Sequence, residues 1–143
     1  MATTTFSGPI KAGDKREGAT ANLGSVLMAQ SAVIDIIGAT TTTAVGIIPA
    51  NSQIVDVILN VTTVNNDGGA ATVKVGYSGD DDEYLPATNV KATGTTRGTI
   101  GADGTDVGSS DQTVNAVYTA ANGNGTTGAA TVTVLYIQNN NLA

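Results

Sequence analysis

The stretch that decides the fold class runs from Gln53 to Val64 and has the sequence QIVDVILNVTTV. Every second side chain shares a face, and one of the two faces is wholly apolar: Val55, Val57, Leu59 and Val61. The other face mixes apolar and polar side chains: Ile54, Asp56, Ile58, Asn60 and Thr62. A period of two is the spacing of a β-strand that buries one face, so the stretch predicts a strand.

The composition extends this prediction to the whole chain of 143 residues, which is the size of one domain. There are 23 Thr, 15 Val and 10 Ile against only 6 Leu, and β-branched side chains suit a pleated sheet better than a helix. Eighteen Gly residues, together with many Asn and Asp, supply turns. We therefore expect an all-β protein.

Several kinds of chemistry are excluded by residues that the sequence lacks. It contains no His and no Cys, which excludes histidine-dependent triads, cysteine nucleophiles, thiolate or imidazole zinc sites and disulfides. A formal charge of −6 is poorly matched to nucleic acid, and four Tyr, one Phe and no Trp leave few stacking surfaces. No apolar run is long enough to cross a bilayer. We expect no enzymatic activity, no cofactor, no metal and neither a nucleic-acid nor a membrane partner.

Further strands follow from the same alternation of apolar and polar positions. The predicted segments are Ser31–Ile37, Val45–Ile48, Ala71–Tyr77, Tyr84–Leu85, Asn89–Ala92, Thr99–Ile100, Thr113–Thr119 and Thr131–Ile137. The turn-rich linkers predict two hairpins, one joining Gln53–Val64 to Ala71–Tyr77 and one joining Thr113–Thr119 to Thr131–Ile137. About eight short strands favour a jelly-roll-like β-sandwich of two four-stranded sheets over an immunoglobulin-like one. Tyr77, Tyr118 and Tyr136 fall on the apolar faces of these strands, where packing is their expected role.

Residues 1–30 differ from the rest of the chain. Their Gly-rich first part shows no period of 2 or 3.6 and holds three of the six basic residues, Lys11, Lys15 and Arg16. We predict an extended N-terminal arm over residues 1–30 that docks on another subunit, and a β-sandwich domain over residues 31–143. An added strand on a neighbour's open sheet edge would satisfy the backbone polar groups of such an arm.

Two motifs suggest ligands but have simpler explanations. Residues 123–128 spell GxGxxG, which binds a dinucleotide only where a helix follows, and here a β-branched strand follows instead. Residues 80–83 are four adjacent acids, which could offer oxygen ligands to Ca²⁺. They lack the EF-hand spacing, and we interpret them as a solvated loop. Accordingly we assign no catalytic, cofactor-binding or metal-binding residue.

Parts of the sequence resemble small virion structural proteins of tailed bacteriophages, of the head-decoration and capsid-fibre type. The resemblance covers roughly residues 6–84, and beyond residue 85 it is confined to the predicted hairpins. The segments that carry it are FSGPIK (6–11), GD (13–14), NLGSVLMAQ (22–30), IPANSQIVDVIL (48–59), VKVGY (73–77) and DDDEY (80–84).

The resemblance implies a role as well as a jelly-roll fold. Proteins of this type stabilise the outer capsid surface or present a surface to the host, often as trimers, and act through whole surfaces. We therefore expect a capsid decoration protein, made in the host cytoplasm and located on the virion, whose partners are the major capsid protein or other virion proteins and further copies of itself, with a trimer favoured. The alternatives are a host-surface or glycan-binding module of a tail or head fibre, and a cellular adhesin or surface-layer subunit.

Overall fold

The computed structural model describes residues 27–100 and 106–138. It contains eight strands: β1 (Leu27–Asp35), β2 (Thr41–Ile48), β3 (Ser52–Thr63), β4 (Thr72–Tyr77), β5 (Asp80–Asn89), β6 (Gly94–Arg97), β7 (Gln112–Thr119) and β8 (Ala129–Gln138). The all-β prediction is confirmed. Within these ranges no helix has the length and hydropathy to span a membrane.

The strands form two antiparallel sheets of four strands each. The first sheet has the order β1-β8-β3-β6, and the second sheet has the order β2-β7-β4-β5. Apart from the hairpin of β4 and β5, each connection carries the chain from one sheet to the other. This strand order is that of a jelly roll, as the sequence predicts.

The two predicted hairpins are wrong. β3 pairs with β8 and β6, while β4 pairs with β7 and β5, so the predicted partners lie in different sheets. The connecting segments 64–71 and 120–128 are long enough to cross the roughly 10 Å between stacked sheets. The β4–β5 hairpin has only Ser78 and Gly79 between its strands, which is the loop length that favours pairing of neighbours.

The core lies between the two sheets and is built from their inner faces. The predicted apolar faces of β7 and β8 are confirmed, because Val114, Ala116, Tyr118, Val132, Val134 and Tyr136 are all buried. Tyr77 is half-buried against this core, so the expected packing role of the three tyrosines is confirmed. Tyr84 is buried as well, and its hydroxyl donates to Gln112 Oε1 at 2.5 Å. Burial raises the pKa of Tyr84 to about 12.

The predicted apolar face of β3 is correct except at its beginning. Val57, Leu59 and Val61 are buried, but Val55 is 48% exposed and Ile54 is buried in its place. The pairing with β8 shifts register between Ile54 and Asp56, which indicates a β-bulge. The extra residue turns Val55 outward, and the alternation continues from Val57.

Strand boundaries also differ from the prediction at three places. β1 begins at Leu27, so the last four residues of the predicted arm pair with β8, and residues 1–26 lie outside the described residues. β5 runs through the acidic segment, which the sequence predicts as a loop. The expected strands at 89–92 and 99–100 are not formed, and β6 lies between them. Gly and Thr make up half of residues 89–100, so apolar and polar positions alternate only weakly there.

Candidate assembly surface

The outer face of the first sheet carries an apolar patch. We define the apolar patch as Leu27, Ala29, Val55, Leu135 and Ile137. In the pairing of β1 with β8, Leu27 lies opposite Ile137 and Ala29 lies opposite Leu135. Val55 lies beside them at the bulge, where the flanking β3 residues pair with 135 and 136. Leu27 is 54% exposed. Three adjacent strands therefore present a continuous apolar surface that is available for contact.

The outer face of the second sheet is mainly polar, although Ile47 at its edge is 58% exposed. Thr42 and Lys74 flank Val117 on its two sides, and Asn115 lies beside Ala44 in the next outward-facing row. Lys74 forms an ion pair with Asp81 at 2.7 Å. This face lacks the apolar continuity of the first sheet and is suited to contact with water.

Among the residues that the structure describes, each sheet has two edge strands, and the sequence protects three of these four. β6 is only four residues long. β5 carries four acids at its beginning and Pro86 near its middle. β2 is interrupted by an irregular register between Ala44 and Gly46. Short length, charge, proline and bulges are the devices by which natural sheets prevent unwanted edge pairing.

Gln30 of β1 bridges the two sheets beside Gly46. Its Nε2 donates to the carbonyl of Ile47 at 2.8 Å and to the hydroxyl of Tyr136 at 3.2 Å. A Cβ at position 46 would lie 1.8 Å from Gln30 Oε1, so only glycine leaves room for this bridge. No local sequence pattern identifies Gln30, because its partners are 17 and 106 residues away.

A polar network joins the loops at one end of the sandwich. Asn65 is buried and donates through Nδ2 to the carbonyl of Ile36 at 2.5 Å and to the hydroxyl of Tyr118 at 2.9 Å. Its Oδ1 accepts the N–H of Asp67 at 2.8 Å. Lys91 Nζ donates to the carbonyl oxygens of Asp67 and Gly69. These bonds fix the 64–71 loop against both sheets.

The Asp67 carboxylate is the centre of this network. Burial by itself would raise its pKa, but N–H groups of Asn122, Gly69 and Gly123 hydrogen-bond to the carboxylate, and the net effect is a pKa below the ordinary value. Oδ2 accepts from Asn122 at 3.1 Å and Gly123 at 3.0 Å, and Oδ1 accepts from Gly69 at 3.4 Å. The sequence indicated only a turn here, since the donors lie in a distant loop.

The GxGxxG segment is part of the same network. The segment leads into β8 and not into a helix, so no helix N-terminus is present to hold a phosphate. Gly123 has φ +68° and donates to Asp67, and Gly125 is buried against Asn65. Gly128 has φ +148°, and a Cβ there would approach the Ile36 carbonyl to 2.6 Å. These contacts give the three glycines structural roles.

The acidic segment at the start of β5 brings carboxylates together. Oxygen atoms of Asp80, Asp81 and Asp82 lie within 4.8 Å of one another. A hydrogen bond to the Asp80 carboxyl, burial and the charge of Asp80 raise the pKa of Asp82. Hydrogen bonding to Asp81 raises the pKa of Lys74. Lys74 therefore compensates part of the negative charge of the three aspartates through its ion pair with Asp81.

Two shallow depressions flank Tyr77 on the second sheet's side. One, of about 450 Å³, is lined by residues that include Asp80, Asp81 and Asn115. The other, of about 420 Å³, is lined by residues that include Asp111 and Gln112. Both are open to solvent, and their polar atoms are amides, hydroxyls and carboxylates.

Comparison with known proteins gives matches at the level of structure. No protein-family model matches the sequence, and no curated protein matches it significantly. A chain from the acidic stable capsid structure of Helicobacter pylori bacteriophage KHP30 is similar, with TM-score 0.64 and 18% identity over 79% of this chain and 88% of that chain.

Two further phage capsid structures contain chains of similar fold. A chain of the cyanophage Pam1 capsid asymmetric unit has TM-score 0.60 and 20% identity, over 96% of this chain and 99% of that chain. A chain of the Ralstonia phage GP4 capsid has TM-score 0.57 and 21% identity, over 87% of this chain and 92% of that chain. At these identities the likeness establishes a shared fold. All three similar chains come from capsid structures of phages.

Proposed function

We propose that the chain is a non-enzymatic structural protein of a phage virion, which decorates and stabilises the outer capsid surface. It acts as a homo-oligomer, a trimer, and contacts the major capsid protein or other virion proteins. The observation that carries the proposal is the fold shared with chains from three phage capsids over 79–96% of this chain.

The surface of the molecule supports a role based on contact. The apolar patch of the first sheet offers area to bury against a neighbour, and apolar area contributes about 25 cal/mol per Å² when it is removed from water. The polar outer face of the second sheet suits the solvent side of a shell. The part of the predicted N-terminal arm that precedes β1, residues 1–26, is proposed to reach a neighbouring subunit.

Counting copies of the protein in purified particles tests this function. We expect quantitative mass spectrometry to find hundreds of copies per particle, and electron microscopy of the native particle to locate them on the shell. A few copies per particle would contradict shell decoration and favour a vertex or a tail. Absence from particles would contradict any virion role.

A host-surface or glycan-binding module of a fibre is the second candidate. The observation that favours it is the pair of depressions beside Tyr77, where an aromatic ring lies among amide and carboxylate side chains. Such a combination can orient a sugar. A glycan array with the purified protein and its Tyr77→Ala variant tests this candidate. Binding that the variant loses would support it, and no binding to any glycan would contradict it.

A further inference from the structure

The outward edge of β1 is the one long edge in the described part of the chain that lacks charge, proline and a bulge over most of its length, and its contact with β2 is made by Gln30 near its middle. From Leu27 to Ile34 the strand has no charged residue and no proline, and only Asp35 closes it. Within the described ranges its backbone hydrogen bonds run to β8 alone. The outward N–H and C=O groups of β1, about half of the total, are thus available to a further strand.

The side chains beside this edge are suited to cover by another segment. Leu27 is 54% exposed and Val33 is 72% exposed, and both point outward from β1. Leu27 belongs to the apolar patch, so the free edge and the patch form one continuous surface. A strand added here would pair its backbone with β1 and bury apolar side chains at the same time.

We propose that this surface accepts the N-terminal segment, residues 1–26, of a neighbouring copy of the same chain. The site depends on the proposed function, because it requires several copies to meet on one particle. Twenty-six residues can extend over about 86 Å, whereas β1 is about 30 Å long. The segment leads directly into Leu27, so it starts beside the patch of its own copy and has ample length to reach the next.

Charge and composition favour this occupant. Residues 1–26 carry three basic and two acidic residues, a formal charge of +1, whereas residues 27–143 carry three basic and ten acidic residues, a formal charge of −7. Phe6 and Ile10 are four residues apart and would share one face of an extended strand. Donation from each copy to the next is a head-to-tail contact, which closes into a ring when the rotation between copies is a whole fraction of a turn, and a rotation of one third of a turn gives a trimer.

Crosslinking between two different copies tests the donor and the acceptor. The chain has no Cys, so Phe6→Cys and Val33→Cys each introduce a unique thiol. When the two full-length variants are mixed, unfolded and refolded together, we expect a bis-maleimide to join one to the other. The double variant Phe6→Cys/Val33→Cys, diluted into excess wild type, should give no crosslink, because the neighbours of each variant copy then lack a thiol. A crosslink within the diluted double variant, or no crosslink between the two mixed single variants, would overturn the proposal.

A charged substitution at the edge tests the acceptor independently. Val33→Lys should reduce the oligomer measured by light scattering at least tenfold in association constant, because it charges the edge and repels the basic segment. Ile47→Lys is the matched control, since Ile47 is 58% exposed on the protected edge β2. Both variants should melt within a few degrees of the wild type. An oligomer that survives Val33→Lys, or a wild-type protein that is monomeric at every concentration, would overturn the proposal.

Failure of the strand-donor site can be distinguished from failure of the proposed decoration function. Hundreds of wild-type copies on the particle, without crosslinks between position 6 and position 33, would leave shell decoration intact and overturn the strand-donor site. Crosslinked oligomers that are absent from particles would support the site and contradict the decoration role.

Discussion

The two sheets of the sandwich share one core but present opposite surfaces. The first sheet exposes a continuous apolar patch and the unprotected edge of β1, while the second sheet exposes threonine, asparagine, lysine and a cluster of aspartates. Both inner faces are apolar, so stability does not require this difference. Under the proposed function, folding and assembly are encoded on separate faces of the same strands.

The largest expected effect comes from removing part of the shared core. Leu59→Ala should lower the free energy of unfolding by about 2–5 kcal/mol, since Leu59 is fully buried on the inner face of β3. Its neighbour Ile58 is half-buried on the outer face, and Ile58→Ala should cost only about 1 kcal/mol. Urea unfolding of both variants measures this. Equal losses would mean that the two faces of β3 contribute alike.

A lysine introduced on the outer face of the first sheet should weaken attachment to particles more than one introduced on the outer face of the second sheet. Leu135→Lys introduces a charge into the apolar patch and should weaken attachment to particles assembled without the protein by roughly ten- to a hundredfold, because burial of a leucine contributes about 1.5–3 kcal/mol. Val117→Lys is the matched control, since Val117 is also half-buried and also lies on the second strand of its sheet. It should change attachment less than twofold. Similar losses of particle attachment in both variants would contradict the proposed difference between the two outer faces.

The bridge that Gln30 forms between the two sheets should contribute a smaller amount to the free energy of unfolding. Gln30→Ala removes two hydrogen bonds, to the Ile47 carbonyl and the Tyr136 hydroxyl, and should lower the free energy of unfolding by about 1–2 kcal/mol. Gln53→Ala, an exposed glutamine on β3, should have an effect within about 0.5 kcal/mol. Thermal or urea unfolding distinguishes the two. An unchanged stability of Gln30→Ala would show that the bridge is dispensable.

The smallest expected effect concerns the acid dependence of stability. Because the folded pKa of Asp67 is below its unfolded value, the unfolded chain binds more protons between the two values. The contribution of Asp67 is therefore full above the unfolded pKa, near 4, and is lost as the pH falls through the folded pKa. Asp67→Asn should melt with a flatter dependence on pH between about pH 2 and 5.

A control for the acid dependence is available on β1. Asp35 is exposed at the end of that strand, and Asp35→Asn should leave the pH profile of the melting temperature close to that of the wild type. Identical profiles for Asp67→Asn and the wild type would contradict the role assigned to Asp67.

The sequence predicts the strands far better than it predicts their partners. The alternation of Val132, Val134 and Tyr136 is a local property, so it identified a buried face of β8 correctly. The pairing of β8 with β1 and β3 joins residues that are about 70 to 110 positions apart in the chain. A single sequence gives no signal for contacts over such separations. The exposure of Val55 depends on a bulge that a strict period of two cannot anticipate.

The assembly surface was predictable only as a class of function. The absence of His and Cys excludes several kinds of chemistry and favours a role based on contact. The apolar patch, by contrast, combines residues from β1, β3 and β8 that no local pattern unites. Likewise, Gln30 and Asp67 are recognisable only once their distant donors and acceptors are placed beside them.

The pairing of Leu27 with Ile137 has a consequence for synthesis in the cell. Since the first strand is completed by the last one, a ribosome must deliver residue 137 before this surface exists. A product truncated before β8 would lack it altogether. Under the proposed function, this pairing would restrict assembly to copies that have been translated through β8.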